Sequence, residues 1–72
     1  MAASEITKFE GKVGRETDKA VQFTVVEDGE KGETVWFPFS QVSAIHRTYS
    51  VVNGTLDSIY VTVWIAHSKG LI

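Results

Sequence analysis

The residues of this chain that could hold a metal or move a proton are two histidines, His46 and His67, and nine carboxylates. A protein metal site needs at least three convergent ligands. The histidines lie far apart, carry no Asp or Glu at ligand spacing, and have no cysteine to join them. His67 and Ser68 are adjacent, and neighbours along a helix do not face one another as base and nucleophile. No G-x-S-x-G elbow occurs. Of Asp18, Glu27, Asp28, Glu30 and Glu33, the last four share one segment with Lys31 and two glycines. That is the pattern of a solvated turn, not of an acid–base pair. The expectation is a non-enzyme with no catalytic residue, no metal and no cofactor.

Binding chemistry is better represented. Trp36, Phe37 and Phe39 surround the single proline, Pro38. Strand alternation puts Trp36 and Phe37 on opposite faces, so Phe37 is assigned to the core and Trp36 to a contact surface. Ser40 and Gln41 follow, a polar pair that reads a base edge or a peptide backbone, or satisfies its own turn. Tyr49 and Tyr60 stand in a segment rich in Tyr, Ser and Thr, a composition that suits protein contact. Trp36, Phe39, Ser40, Gln41, Tyr49 and Tyr60 are therefore the candidate binding residues. Lys8, Lys12, Arg15, Lys19 and Arg47 are the candidate phosphate contacts. On a strand Lys8 and Lys12 point the same way, and Arg15 joins them only if a bulge at Gly14 resets the phase.

The elements that must position these residues are strands. Aromatic and β-branched residues dominate the apolar set. Five strands are expected: Ile6 to Arg15, Ala20 to Val26, Glu33 to Phe37, Val42 to Tyr49 and Ser58 to Trp64. Val21, Phe23 and Val25 alternating with Gln22 and Thr24 give the clearest period of two. Val42, Ala44 and His46 are expected on one face, with Ser43, Ile45 and Arg47 on the other. Glu27 to Gly32 reads as a charged tip whose two glycines supply positive φ. Asn53-Gly54 is the strongest hairpin signal. Ile65 to Lys69 forms a single helical turn capped by Gly70. The fold class is all-β, a small strongly curved five-stranded antiparallel sheet or an SH3-like or OB-like barrel, with a short C-terminal helical turn.

Size and charge set the limits. The chain has 72 residues and 8.0 kDa, a single domain over 1–72 with about 1–5 as a flexible lead and a thin core. A net charge of −2 and a pI near 5.5 count against a duplex-DNA binder and are too weak for a DNA mimic. No apolar run is long enough to span a membrane, and Met1 to Glu5 lack the pattern of a signal peptide. The absence of cysteine fits a reducing compartment, so the expected location is the cytoplasm.

Three segments carry a resemblance. They are Glu16-Thr17-Asp18-Lys19-Ala20-Val21, Val35-Trp36-Phe37-Pro38-Phe39-Ser40-Gln41-Val42, and Trp64-Ile65-Ala66-His67-Ser68-Lys69-Gly70-Leu71-Ile72. In this order they resemble a group of small bacteriophage and prophage proteins of unassigned activity, with an ETxKA segment, a Trp–Pro–Ser-Gln segment and a W-I/L-A…KGLI ending. The resemblance implies a phage origin and a host-cytoplasm setting. Three departures stand out: Phe39 replaces a common lysine, Thr48 to Val63 is longer and more strand-like, and His67-Ser68 replaces a more charged pair.

Two functional expectations follow. The first is an accessory protein-binding module, an inhibitor, adaptor or anti-defence factor contacting a host or phage protein. The 48–63 hairpin would be its contact arm or a homodimer interface. The second is a small barrel that binds single-stranded nucleic acid in phage replication or recombination, with Trp36, Phe39 and Tyr49 as stacking groups. A virion or structural subunit is a third.

Overall fold

The computed structural model describes residues 5–48 and 56–72. Strand β1 is Ile6–Glu16, β2 Ala20–Glu27, β3 Glu30–Pro38, β4 Val42–His46 and β5 Asp57–Thr62. A 3-10 turn, Phe39–Gln41, joins β3 to β4, and helix α1, Val63–Ser68, follows β5. All five strands form one antiparallel sheet in the order β3-β2-β1-β5-β4. Among the described residues no helix is long and apolar enough to cross a membrane.

The expected five-stranded sheet and C-terminal helical turn are present, but the sheet does not close into a barrel. β3 and β4 remain its two edges. The strap between them is only three residues long, a reach of about 14 Å. A flat five-stranded sheet would hold its edges about 19 Å apart. The edges are therefore drawn together at the strap and left unpaired elsewhere. Pro38 sits at the end of β3 without an amide hydrogen and can extend no ladder across the gap.

The core explains the element choices. Val21, Phe23 and Val25 of β2 share it with Phe37 of β3, Ile59 and Val61 of β5, and Ile65 and Ala66 of α1. Phe23 and Phe37 meet with ring centroids 6.4 Å apart and planes tilted by 52°. Gly11 lies in the same layer because β2 crosses β1 tightly there. A Cβ on Gly11 would stand 1.9 Å from the Thr24 carbonyl oxygen. No side chain fits.

Three bulges shift the alternation. Val13 pairs with Phe23 but Glu16 with Val21, so Gly14 and Arg15 together oppose Gln22. Thr24 pairs with Thr34 but Val26 with Lys31, so Gly32 and Glu33 oppose Val25. Val42 pairs with Val61 but Ala44 with Tyr60. That last shift moves Val42 off the face expected for it, while Ala44 and His46 stay together opposite Ile45 as expected. Val42 and Ile45 pack on the core, while Ala44 and His46 face outward.

The tip also differs from expectation. Positive φ falls on Asp28 (52°) and Gly29 (79°), a two-residue turn that matches the sheet twist. Gly32 is a strand residue, whose added Cβ would lie 3.2 Å from the Val25 carbonyl oxygen. The fifth strand stops at Thr62 rather than Trp64. The Thr62 hydroxyl accepts from the Ile65 amide at 3.2 Å and caps α1. Gly70, at φ 72°, ends the helix as expected. The Leu71 amide donates to the Ala66 carbonyl and the Gly70 amide to that of His67, the paired bonds of a Schellman cap. The Asn53-Gly54 turn and the tip of the 48–63 arm lie outside the described residues.

Candidate functional site

The register assigns every charged strand residue to a face. On β1, Phe9, Gly11 and Val13 point to the core, so Lys8, Glu10 and Lys12 point outward. The bulge at Gly14 resets the phase. Glu16 opposes the core residue Val21, and Arg15 therefore joins Lys8 and Lys12 on the outer face. Lys31 joins them because it opposes Val26, the outward neighbour of Val25. The outer face thus carries Lys8, Lys12, Arg15 and Lys31 against one carboxylate, Glu10. The underside of the same hairpins carries Glu16, Glu27, Glu30 and Glu33. A chain of net charge −2 presents one cationic face.

Aromatic groups occupy the same outer face. Trp36 stands across from Gln22 with 39% of its surface exposed. Tyr60 stands between Lys8 on β1 and Ala44 on β4. His46 packs on Tyr60 with ring centroids 5.5 Å apart and planes tilted by 58°. Thr24 and Thr34 share a hydroxyl hydrogen bond of 2.9 Å between Trp36 and Lys12. The Lys8 ammonium lies 3.9 Å from the Glu10 carboxylate, an exposed pair of small energetic weight.

The remaining candidates serve other ends. Phe39 packs against the core, and its amide donates to the Lys19 carbonyl at 2.8 Å. Gln41 accepts from the Thr62 hydroxyl at 2.7 Å. Thr17 tightens the turn before β2, its hydroxyl oxygen accepting from the Ala20 amide at 3.1 Å. The first two segments that carry the phage resemblance therefore meet beside the strap, whereas the third ends at Gly70 and Leu71, near Val25, Glu27 and the start of β3. Ser40 is exposed on the strap, and Lys19 lies in the turn beneath it. Arg47 pairs with Glu16 and leaves the outer strip. Tyr49 lies outside the described residues.

One functional group escaped the sequence reading. Asp57 is buried, with 8% exposure. Its Oδ2 accepts from the Val13 amide at 3.0 Å and its Oδ1 from the Thr48 amide at 2.8 Å. The Thr48 hydroxyl donates to the Leu56 carbonyl at 3.3 Å, so both ends of the 48–56 connection are tied to β5. The available signal was a lone carboxylate opening a strand opposite Gly11.

Among the described residues no three His, Asp or Glu side chains converge as metal ligands. A cleft of about 330 Å³ opens where β1 parts from the β2–β3 tip, between Lys8-Phe9-Glu10 and Val25 to Asp28. A second, of about 250 Å³, lies under the tip beside Gly70 and Leu71. No family model, curated protein or solved structure matches this chain.

Proposed function

We propose that this protein is a non-enzymatic binding module, of a phage accessory type, that holds single-stranded nucleic acid on the outer face of its sheet. The supporting observation is the sidedness of charge. Four cations and one carboxylate share a face with Trp36, Tyr60 and His46, while the carboxylates of the β2–β3 hairpin turn to the other side. Cations that track a backbone and aromatic rings that stack bases are the two parts such a surface needs. An open, solvated sheet face also accepts splayed bases better than it accepts a duplex. The second reading is a protein partner. It is favoured by Trp64, which is 57% exposed on α1 and has no place in a nucleic-acid track.

The two tryptophans separate the readings. Oligothymidylate is titrated against wild type, Trp36→Phe and Trp64→Phe, with intrinsic fluorescence followed at low salt. Saturable quenching is expected in wild type and in Trp64→Phe. In Trp36→Phe the quenching is lost and affinity, read by anisotropy of a labelled oligonucleotide, falls about five-fold or more. No binding by any of the three proteins, or quenching carried by Trp64 alone, overturns the proposal and leaves the protein-partner reading.

A further inference from the structure

The two sides of β1 are not equally occupied. The strand pairs with β5 from Ile6 to Gly11, but with β2 only from Gly11 to Glu16. From Ile6 to Glu10 the side toward β2 carries no ladder. Two hydrogen bonds assign the backbone groups that face it. The Glu5 carbonyl accepts from the Val63 amide at 2.9 Å, and the Val13 amide donates to Asp57 at 3.0 Å, so the odd-numbered residues of β1 turn toward β5. In an antiparallel ladder the amide and carbonyl of one residue point the same way, and the direction alternates along the strand. Ile6, Lys8 and Glu10 therefore turn theirs toward β2.

The space they face is the cleft of about 330 Å³ between Lys8-Phe9-Glu10 and Val25 to Asp28. Its inner end is shut where Gly11 pairs with Val25. Its mouth opens past the Asp28–Gly29 turn toward Ile6, an apolar side chain left 45% exposed. The volume is near the lower bound of about 300 Å³ for ligand pockets. That suits the end of one extended chain and admits no folded partner. Glu10 borders the cleft from the outer side of the sheet, Glu27 from the underside and Asp28 from the turn, against the single ammonium of Lys8. A chain end seated there is favoured as an amine and disfavoured as a carboxylate.

Independently of the nucleic-acid reading, we infer that this cleft takes the N-terminal end of an extended peptide, which continues the ladder that β2 leaves at Val25. The peptide runs antiparallel to β1, amine first, and exchanges backbone hydrogen bonds with Lys8. Its α-amine comes to rest near the carboxylates at the closed end. Its side chains alternate between Phe9 on one face of the sheet and Lys8 on the other, and the chain covers Ile6 as it leaves the mouth.

The probe is Val-Thr-Val-Thr amide with a free N-terminus, titrated into isotope-labelled protein and read by backbone amide shifts. Saturable shifts are expected at Lys8, Phe9, Glu10 and Val26, with exchange at the Lys8 amide slowed about ten-fold or more. Acetylating the peptide amine should weaken binding about five-fold or more. N-methylation of one alternate set of peptide amides should abolish binding, and of the other set leave it, as strand pairing demands. The double variant Glu27→Gln with Asp28→Asn should weaken the free-amine peptide about three-fold or more and leave the acetylated peptide unchanged. Both positions are exposed, and asparagine tolerates the positive φ of Asp28, so the fold is kept. No saturable shift at Lys8, equal affinity of the acetylated peptide, or an equal effect of both methylation patterns overturns the inference. None of these outcomes bears on oligothymidylate binding, which the Trp36 and Trp64 variants test separately.

Discussion

Along β1 two sets of residues alternate, Phe9, Gly11 and Val13 against Lys8, Glu10 and Lys12, and the two faces they build obey different rules. The core face is fixed by contact: Gly11 touches the Thr24 carbonyl so closely that no Cβ fits, and Phe23 meets Phe37 ring to ring. The outer face is fixed by register alone. Lys8 and Lys12 share it by alternation, and two bulges bring Arg15 and Lys31 there while the glutamates of the β2–β3 hairpin lie beneath. The difference teaches that substitutions on the two faces should report on different quantities. Core-face changes should move stability, and outer-face changes should move binding with stability nearly constant.

The largest stability effect is expected from Phe23→Ala. It removes a fully buried ring from a thin core and should lose about 3–5 kcal/mol, read by urea unfolding. A loss under 1 kcal/mol would mean that the core is not centred on this ring. Gly11→Ala should follow at about 3 kcal/mol, because backbone and not a flexible side chain must move. An unchanged midpoint would contradict the tight crossing of β1 and β2. Asp57→Ala should remove about 2 kcal/mol by stranding the Val13 and Thr48 amides, and amide exchange at both positions should speed up. Protection that survives the substitution would contradict the staple. Thr62→Ala loses the cap of α1 and the partner of Gln41, worth about 1 kcal/mol in thermal unfolding.

How much of this was legible differs between the faces. The core face was read from period-two alternation, since Val21, Phe23, Val25 and Phe37 occupy the positions their pattern demands. The Gly70 cap and the opposition of Trp36 to Phe37 were also legible, because each depends on a few consecutive residues. The outer face was legible only in part: Lys8 and Lys12 were read on one side, and Arg15 joined them only on condition of a bulge. Its charge depends on where the ladder slips by one residue, and a slip sends every following side chain to the other face. The Gly14 bulge left a glycine as its mark, whereas the shift between Val42 and Ala44 left none, and Val42 was grouped with Ala44 and His46 instead of with Ile45. Lys31 was missed for the same reason, since the bulge at Gly32 and Glu33 decides its side. Closure into a barrel depended on β3 meeting β4, a pairing no local pattern encodes. Asp57 was hidden because its partners are backbone amides far from it in the sequence.

The central claim is that the outer face is a cationic surface for single strands, and its salt dependence tests it most directly. Affinity for a pentathymidylate is measured from 20 to 200 mM salt, for wild type and for the double variant Lys8→Gln with Lys12→Gln. Three phosphate contacts, from Lys8, Lys12 and Arg15, predict a log–log slope of about −2, and the double variant should flatten it to about −0.7. Its unfolding free energy should stay within about 0.5 kcal/mol of wild type, because both side chains are exposed. Affinity that ignores salt, or a slope that the double variant leaves unchanged, would contradict the account.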